Sequence, residues 1–166
     1  IDASKLRETV LNLKNRDKFT LLLDITAVDY LKYPIKSDQR FALIYILRDE
    51  SFKKTVTIKT FIDNNSLVID SISDIFYAAN WAERETYDQY GIIFKNHPNL
   101  KRVLNHHEFV GHPLRKDYAI THYQPCKETE SLMDEMTPLL ESKGYTSQEQ
   151  EELMLINIGP SHPASH

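Results

Sequence analysis

Three consecutive runs between residues 19 and 62 carry the two-residue alternation of β-strands, with polar turns between them. In the first, Phe19, Leu21, Leu23, Ile25 and Ala27 are expected on one face, with Thr20, Asp24 and Thr26 on the other. Pro34 and the polar residues up to Gln39 form a turn. Phe41 to Leu47 is apolar on both faces, as a central strand would be. Thr55 to Ile62 puts Val56, Ile58 and Ile62 on one side and Thr55, Thr57 and Lys59 on the other, and Asp63-Asn64-Asn65-Ser66 is turn chemistry. Helical spacing flanks these runs. Leu6, Val10 and Leu13 recur on one face of a helix that Asp2 or Ser4 can cap. A second helix is expected from about Ser73 to Tyr90, with Gly91 placed to stop it. Its stripe Ile75, Ala79, Ala82, Thr86 and Tyr90 fits a sheet face, and the neighbouring stripe sets Glu83 among Phe76, Tyr87 and Tyr90. The expected class is α+β: an N-terminal helix, a small, mainly antiparallel sheet packed with helices, then a long extended loop or tail.

Periodicity ends at Ile92. Residues 92–123 hold five histidines (His97, His106, His107, His112, His122), Pro98, Pro113 and the basic pair Arg115-Lys116. A stretch this long without periodicity reads as an ordered docking loop, and residues 1–123 as one domain that carries it. Residues 124–152 read as an acidic linker, in which Leu132, Met133, Met136, Leu139 and Leu140 suggest a short helix that Pro138 would kink. Leu153 to Ile158 begins a new apolar run, so 153–166 is expected to be the truncated start of a further domain. The first residues lack an initiator Met and the layout of a secretory signal, so a start further upstream is expected.

Scarcity narrows the chemistry. An iron–sulfur cluster usually takes four cysteine thiolates, and Cys126 is the one cysteine here. Nucleotide phosphates call for closely spaced glycines, whereas Gly91, Gly111, Gly144 and Gly159 are scattered. A net charge of −4 argues against nucleic acid as a partner, and no apolar run approaches the ~20 residues that span a bilayer. Histidine spacings of nine, one, five and ten residues fit no familiar zinc site, and structural zinc favours cysteine. Metal binding is therefore not expected. His97 and His112, each before a proline, read as hydrogen-bonded turn residues.

Glu83, Arg84, Glu85 and Asp88 crowd one helix. Paired carboxylates can act as acid and base, but nothing nearby supplies a nucleophile, metal or cofactor to complete such a set. The favoured reading is a buried ion-pair network, with Glu83 and Glu85 answered by Arg84, Arg102 or Arg115. Arg84 and Asp88 are also spaced as an exposed i,i+4 pair. Arg115-Lys116 is expected to make salt bridges to a protein neighbour.

Two segments depart furthest from generic globular sequence. The first runs from Asn80-Trp81-Ala82-Glu83-Arg84-Glu85 through Asp88, Gly91-Ile92, His97-Pro98 and Arg102 to Gly111-His112-Pro113-Leu114-Arg115-Lys116-Asp117-Tyr118. With Asp24-Ile25-Thr26-Ala27-Val28-Asp29-Tyr30 upstream, it resembles the C-type, 30-kDa subunit family of respiratory complex I over roughly residues 19 to 118. Gln89, where that family usually has a hydrophobic residue, and Ala119, where proline is common, depart from the pattern and touch local packing. The second segment, Gly159-Pro160-Ser161-His162-Pro163-Ala164-Ser165-His166, is similar to the start of the D-type, 49-kDa subunit family. The chain thus resembles a fusion of the two, cut early in its second part.

The resemblance implies a structural and assembly subunit in the peripheral arm of a proton-translocating NADH:quinone oxidoreductase. Its partners would be the B-type and I-type subunits and the remainder of the 49-kDa part, with the membrane arm touched only indirectly. It implies a place on the cytoplasmic side of the bacterial inner membrane. Electrons would pass from NADH through FMN and iron–sulfur clusters to quinone, none of these being held by this chain. His166, with His162 nearby, would stand at the quinone headgroup, where an imidazole titrating near neutral pH can donate to the developing quinol oxygen. The alternatives are the N-terminal region of a membrane-bound [NiFe]-hydrogenase large subunit, which typically lacks a histidine at the position of His166, and a free-standing, non-catalytic scaffold domain.

Overall fold

The alternating runs fold into three antiparallel strands, and the place where alternation fails proves informative. The computed structural model describes residues 1–34, 38–122 and 124. In it β1 (Leu21–Asp29), β2 (Phe41–Arg48) and β3 (Thr55–Ile62) lie side by side in that order. Asp29 stands opposite Phe41, and Phe41 opposite Ile62. β2 is central, and Phe41, Ala42, Leu43, Tyr45 and Leu47 are all buried. On β3, Ile58, Thr60 and Ile62 face inward while Thr55, Thr57 and Lys59 face solvent. On β1 the expected face is corrected. The register slips between Leu22 and Asp24, so Leu22, Ile25 and Ala27 are buried whereas Leu21 and Leu23 point outward. A β-bulge adds one residue to one strand and inverts the side of everything before it.

Asp2 accepts a hydrogen bond from the Ser4 N–H and opens a short helical turn (Ala3–Lys5) that leads into α1 (Leu6–Asn15). Leu6 and Val10 bury the expected face. Arg7 grips both carboxylate oxygens of Asp74 at 2.8 and 2.7 Å and also donates to the Ser71 carbonyl, and Lys14 donates to the Ile75 carbonyl. These contacts tie α1 to the segment before the second helix.

That helix, α2, spans Ala79–Tyr90, six residues shorter at its start than expected. Residues 72–78 form turns instead, with Ile75 and Phe76 N–H groups both donating to the Ile72 carbonyl and the Ser73 N–H donating to Ser71 Oγ. Serine side chains that bond the nearby backbone compete with helix in this way. At the other end Gly91 takes the left-handed conformation, φ 74°, and its N–H caps the Tyr87 carbonyl. α2 packs on β1, where Thr86 Oγ1 donates to the Ile25 carbonyl at 3.2 Å. Two strands escaped the pattern: β4 (Val68–Asp70) and β5 (Ile93–Lys95) pair in parallel, with Ile69 and Phe94 buried. Three residues are too few to show a period, so the expected irregular stretch begins with a strand. Residues 1–124 cohere as one unit of α+β architecture. The expected linker helix and the 153–166 segment lie outside the described residues.

Candidate functional site

The irregular residues 96–118 are held by the C-terminal end of α2. Asp88, in the last turn of that helix, has a fully buried side chain. One of its oxygens, Oδ2, accepts from the N–H groups of Val103, Leu104 and Asn105 at 3.1, 2.9 and 2.8 Å. The other, Oδ1, accepts from Arg102 Nη1 at 2.5 Å and Asn105 Nδ2 at 3.0 Å. Burial works to raise the Asp88 pKa. The hydrogen bonds from Asn105, Arg102 and Leu104 outweigh it and hold the carboxyl well below the usual carboxylate range. The expected Arg84–Asp88 pair does not form. Arg84 instead donates to the carbonyls of Lys101 and Arg102 at 3.1 and 3.2 Å and stacks over Trp81. A buried carboxylate is better served by three N–H groups and a guanidinium than by a neighbour on its own helix.

The remaining α2 carbonyls are taken in sequence order. The Asp88 carbonyl meets His112 Nδ1 at 2.9 Å and Arg102 Nη1 at 3.2 Å, the Gln89 carbonyl accepts from the Leu114 N–H at 3.2 Å, and the Tyr90 carbonyl from Arg115 Nε at 2.6 Å. Helix C-termini leave such carbonyls orphaned and favour cations, which two arginines supply here. Burial lowers the His112 pKa, countered in part by its bond to the Asp88 carbonyl. Gly91 is required twice over: for its positive φ, and because a Cβ there would overlap Arg115 and come within 2.5 Å of His112 Nε2. Gly111, φ 95°, lies against the Tyr118 ring, and its carbonyl accepts from Arg102 Nη2 at 2.9 Å. Arg115 thus faces inward, over the Phe41 ring, rather than toward a neighbour as expected. Pro98 and Pro113 lie in turns.

A second anchor was missed by sequence reasoning. Asp29, buried at the end of β1, accepts from Arg40 Nε and Nη2 at 3.0 and 2.8 Å and from the N–H groups of Leu31 and Lys116 at 2.9 Å each. Arg40 also makes a two-point contact with Asp117 at 2.7 and 3.0 Å. Burial raises the Asp29 pKa and the bonds from Arg40, Lys116 and Leu31 overcome it, while those carboxylates raise that of Arg40. Lys116 engages through its backbone, and its side chain is exposed. Bidentate arginine geometry cannot be read from residues 77 positions apart. A charged residue in place of an apolar one at the end of β1, after the apolar pair Ala27-Val28, was the signal available.

Glu83 corrects another expectation. It is fully buried, but no arginine answers it. Its oxygens accept from Ser71 Oγ at 2.6 Å and from the Ile72 N–H at 2.7 Å, and burial raises its pKa to about 7 against those two bonds. His97 Nε2 lies 4.0 Å away but pairs with the Asn80 carbonyl at 3.0 Å, while its Nδ1 accepts from the Asn99 N–H. The expected partners Arg84, Arg102 and Arg115 are drawn to carbonyls or to Asp88, and Arg7 to Asp74, which leaves Glu83 to hydroxyl and backbone donors. Glu85 is exposed and belongs to no such network.

The histidines are dispersed. His97 sits by Glu83, His112 by Asp88, His106 and His107 stack on each other at 4.4 Å, and His122 lies edge-on to Tyr118. Among the described residues no three His, Cys, Asp or Glu side chains are placed to share a metal ion. His162 and His166 lie outside the described residues. Chemically, the arrangement shapes a loop: its buried carboxylates are spent on backbone N–H groups and guanidinium, not aimed at a cleft. Leu104, Val110 and Ile120 stand more than half exposed, as do Tyr77 before α2 and Trp81 in its first turn. No helix among the described residues is long and apolar enough to cross a membrane.

Three comparisons bear on this geometry. The family model described as respiratory-chain NADH dehydrogenase, 30 Kd subunit, matches residues 1–124. The C/D-type NADH-quinone oxidoreductase polypeptide of Bdellovibrio bacteriovorus is 36% identical over 157 residues, which cover 95% of this chain and 26% of that one, so the chain spans about a quarter of this relative's length. Among solved structures, the trypsin-resistant fragment (1–134) of Nqo5 superposes with a TM-score of 0.56 at 30% identity, over 60% of this chain and 79% of the fragment. The membrane-bound sulfane sulfur reductase, an archaeal respiratory membrane complex, matches with a TM-score of 0.61 at 28% identity, over 73% of this chain and 70% of that one.

Proposed function

Because the chain belongs to the 30-kDa subunit family of respiratory-chain NADH dehydrogenase, we propose that it braces the peripheral arm of an ion-translocating NADH:quinone oxidoreductase as a docked subunit that carries no electron. The observation that supports this best is the Asp88 clamp. One buried carboxylate, with five hydrogen bonds, fixes the path of residues 102–105 and so of the exposed Leu104 side chain. A loop built at such cost in buried charge gains its stability from internal bonds, and its apolar side chains remain available to a partner. In this reading FMN, the iron–sulfur clusters and the NADH site reside on other subunits. The docking partners are the B-type, I-type and 49-kDa subunits, and the assembly sits on the cytoplasmic side of the bacterial inner membrane. His166 and His162 belong to the start of the 49-kDa region and would face the quinone there.

The likeness to a sulfane sulfur reductase puts the same fold in a respiratory membrane complex of another name, which leaves the hydrogenase-type alternative to be tested. Affinity purification of the full-length protein from membranes of its own host decides between them. The expected result is co-purification of NADH-oxidising activity that reduces a short-chain quinone, with FMN and iron in the eluate. Hydrogen uptake with nickel in place of NADH oxidation, or a chain recovered alone, would overturn the proposal.

A further inference from the structure

The bulge in β1 turns both Leu23 and Asp24 outward, as bulges at sheet edges commonly re-aim a side chain. Asp24 then lines a cleft between β1 and α2 together with Thr26, Glu85, Gln89, Tyr90 and Leu114. The cleft has a volume of about 80 Å³. A cofactor or quinone site needs about 300–1,000 Å³, so this one admits the head of a single side chain. Its chemistry is lopsided. Asp24 and Glu85 each have no hydrogen bond or ion pair among the described residues. Gln89 is 8% exposed, yet its side-chain amide makes no hydrogen bond among those residues. A mostly buried amide normally finds a partner, and this one is left to the solvent of the cleft. Two carboxylates and an amide therefore line a space that has no lysine, arginine or histidine in its wall.

We propose that this cleft receives one arginine side chain from a neighbouring polypeptide, a reading that rests on the chain being a docked subunit. A guanidinium presents five N–H donors in a plane and can meet both carboxylates and the Gln89 oxygen at once, which a lysine ammonium or a bare ion cannot match in shape. Leu114, 49% exposed, lines the cleft, and Leu23, 47% exposed, is the chain neighbour of Asp24. Exposed apolar surface next to a charged cleft fits a protein interface, where arginine anchors are enriched, better than a site for a free small cation.

The test has two arms on the full-length protein. In the first, N-acetylarginine amide is titrated and the Gln89 side-chain NH₂ signals are followed by NMR. Saturable shifts are expected, absent with the uncharged isostere N-acetylcitrulline amide and weakened at least tenfold by Asp24→Asn with Glu85→Gln. Equal shifts with citrulline, or with magnesium chloride alone, would overturn the proposal. In the second arm, Asp24→Lys with Glu85→Lys is expected to lower recovery of the chain in the NADH-oxidising assembly at least fivefold without moving its melting temperature. If the double variant assembles as well as wild type, the arginine socket is wrong and the subunit reading stands. If wild type itself joins no such assembly, the subunit reading falls with it.

Discussion

Replacing Glu83 by Gln should change how stability depends on pH more than it changes stability itself. The ordinary glutamate value is 4.5, and burial lifts Glu83 to about 7 in the folded chain. Below pH 4.5 the side chain is protonated in both folded and unfolded states. Between there and pH 7 the unfolded chain loses a proton that the folded one keeps, so stability falls as pH rises; above pH 7 the contribution is gone. At 1.36 kcal/mol per pH unit the loss is about 3 kcal/mol, most of it between about pH 5 and pH 8. For a domain of this size that is roughly 10 °C in melting temperature. The neutral acid has a ready place. Its O–H can donate to Ser71 Oγ, whose own hydroxyl then turns to Ser73 Oγ, 2.8 Å away, while the Ile72 N–H still reaches Oε1. A glutamine amide reproduces this pattern at every pH, with one N–H left over at a cost of about 1 kcal/mol.

The assay is thermal unfolding followed by circular dichroism at pH 5 to 8 for both proteins. His112 acts with the opposite sign, since burial lowers its pKa below the ordinary 6.5 and its contribution is lost as pH falls. Its effect is common to both proteins and cancels in the difference. The expected result is that the two profiles cross: wild type slightly more stable at pH 5, the Glu83→Gln variant more stable at pH 8. Parallel profiles would show that Glu83 is ionised throughout and that the hydroxyl relay is wrong.

Two further perturbations test the clamp. Asp88→Asn should cost about 3–5 kcal/mol in urea unfolding at pH 7, because it strands Arg102 and turns an N–H₂ toward donors. The same carboxyl, held below its unfolded value, contributes stability that is present above about pH 4 and is lost as pH falls further, so the variant should lack that part of the acid limb. Gly91→Ala should cost more than the ~1–2 kcal/mol of a left-handed alanine, because its Cβ overlaps Arg115 and His112. A loss within that range, measured by the same unfolding, would mean that the two side chains yield.

How far the sequence reveals this structure depends on the range of the forces involved. Strand alternation, the Gly91 stop and the central place of β2 rest on contacts between near neighbours, and they were legible. The β1 bulge was not, because a run of three leucines, Leu21 to Leu23, satisfies either register; pairing with β2 decides which one is buried. The site residues divide in the same way. That Asp88, Arg102, His112 and Arg115 matter was visible in the motif, but who pairs with whom was not. Arg84 lies one turn from Asp88 and is spaced as its partner, whereas the carboxylate is met by donors 14 to 17 residues on. Arg40 had no local context at all.

That division suggests why the motif carries so many charged residues without forming a reactive centre. A helix end leaves carbonyls in need of donors, and a loop without secondary structure leaves N–H groups in need of acceptors. Asp88 and Asp29 meet the loop's N–H groups, and His112, Arg102 and Arg115 meet the carbonyls of α2. Each buried charge thus replaces backbone pairing that a regular element would have provided. Glu83 does the same for the turn before α2 through the Ile72 N–H, which is why a neutral acid serves there while Asp88 must stay ionised to hold Arg102. Outside this network Tyr45 Oη, Thr60 Oγ1 and Arg48 Nε are buried without a partner, and in the β1–α2 cleft the side chains of Asp24, Glu85 and Gln89 make no hydrogen bond within the described residues. Carboxylates with no cation in the same cleft are where a partner's arginine would add stability that the isolated chain lacks.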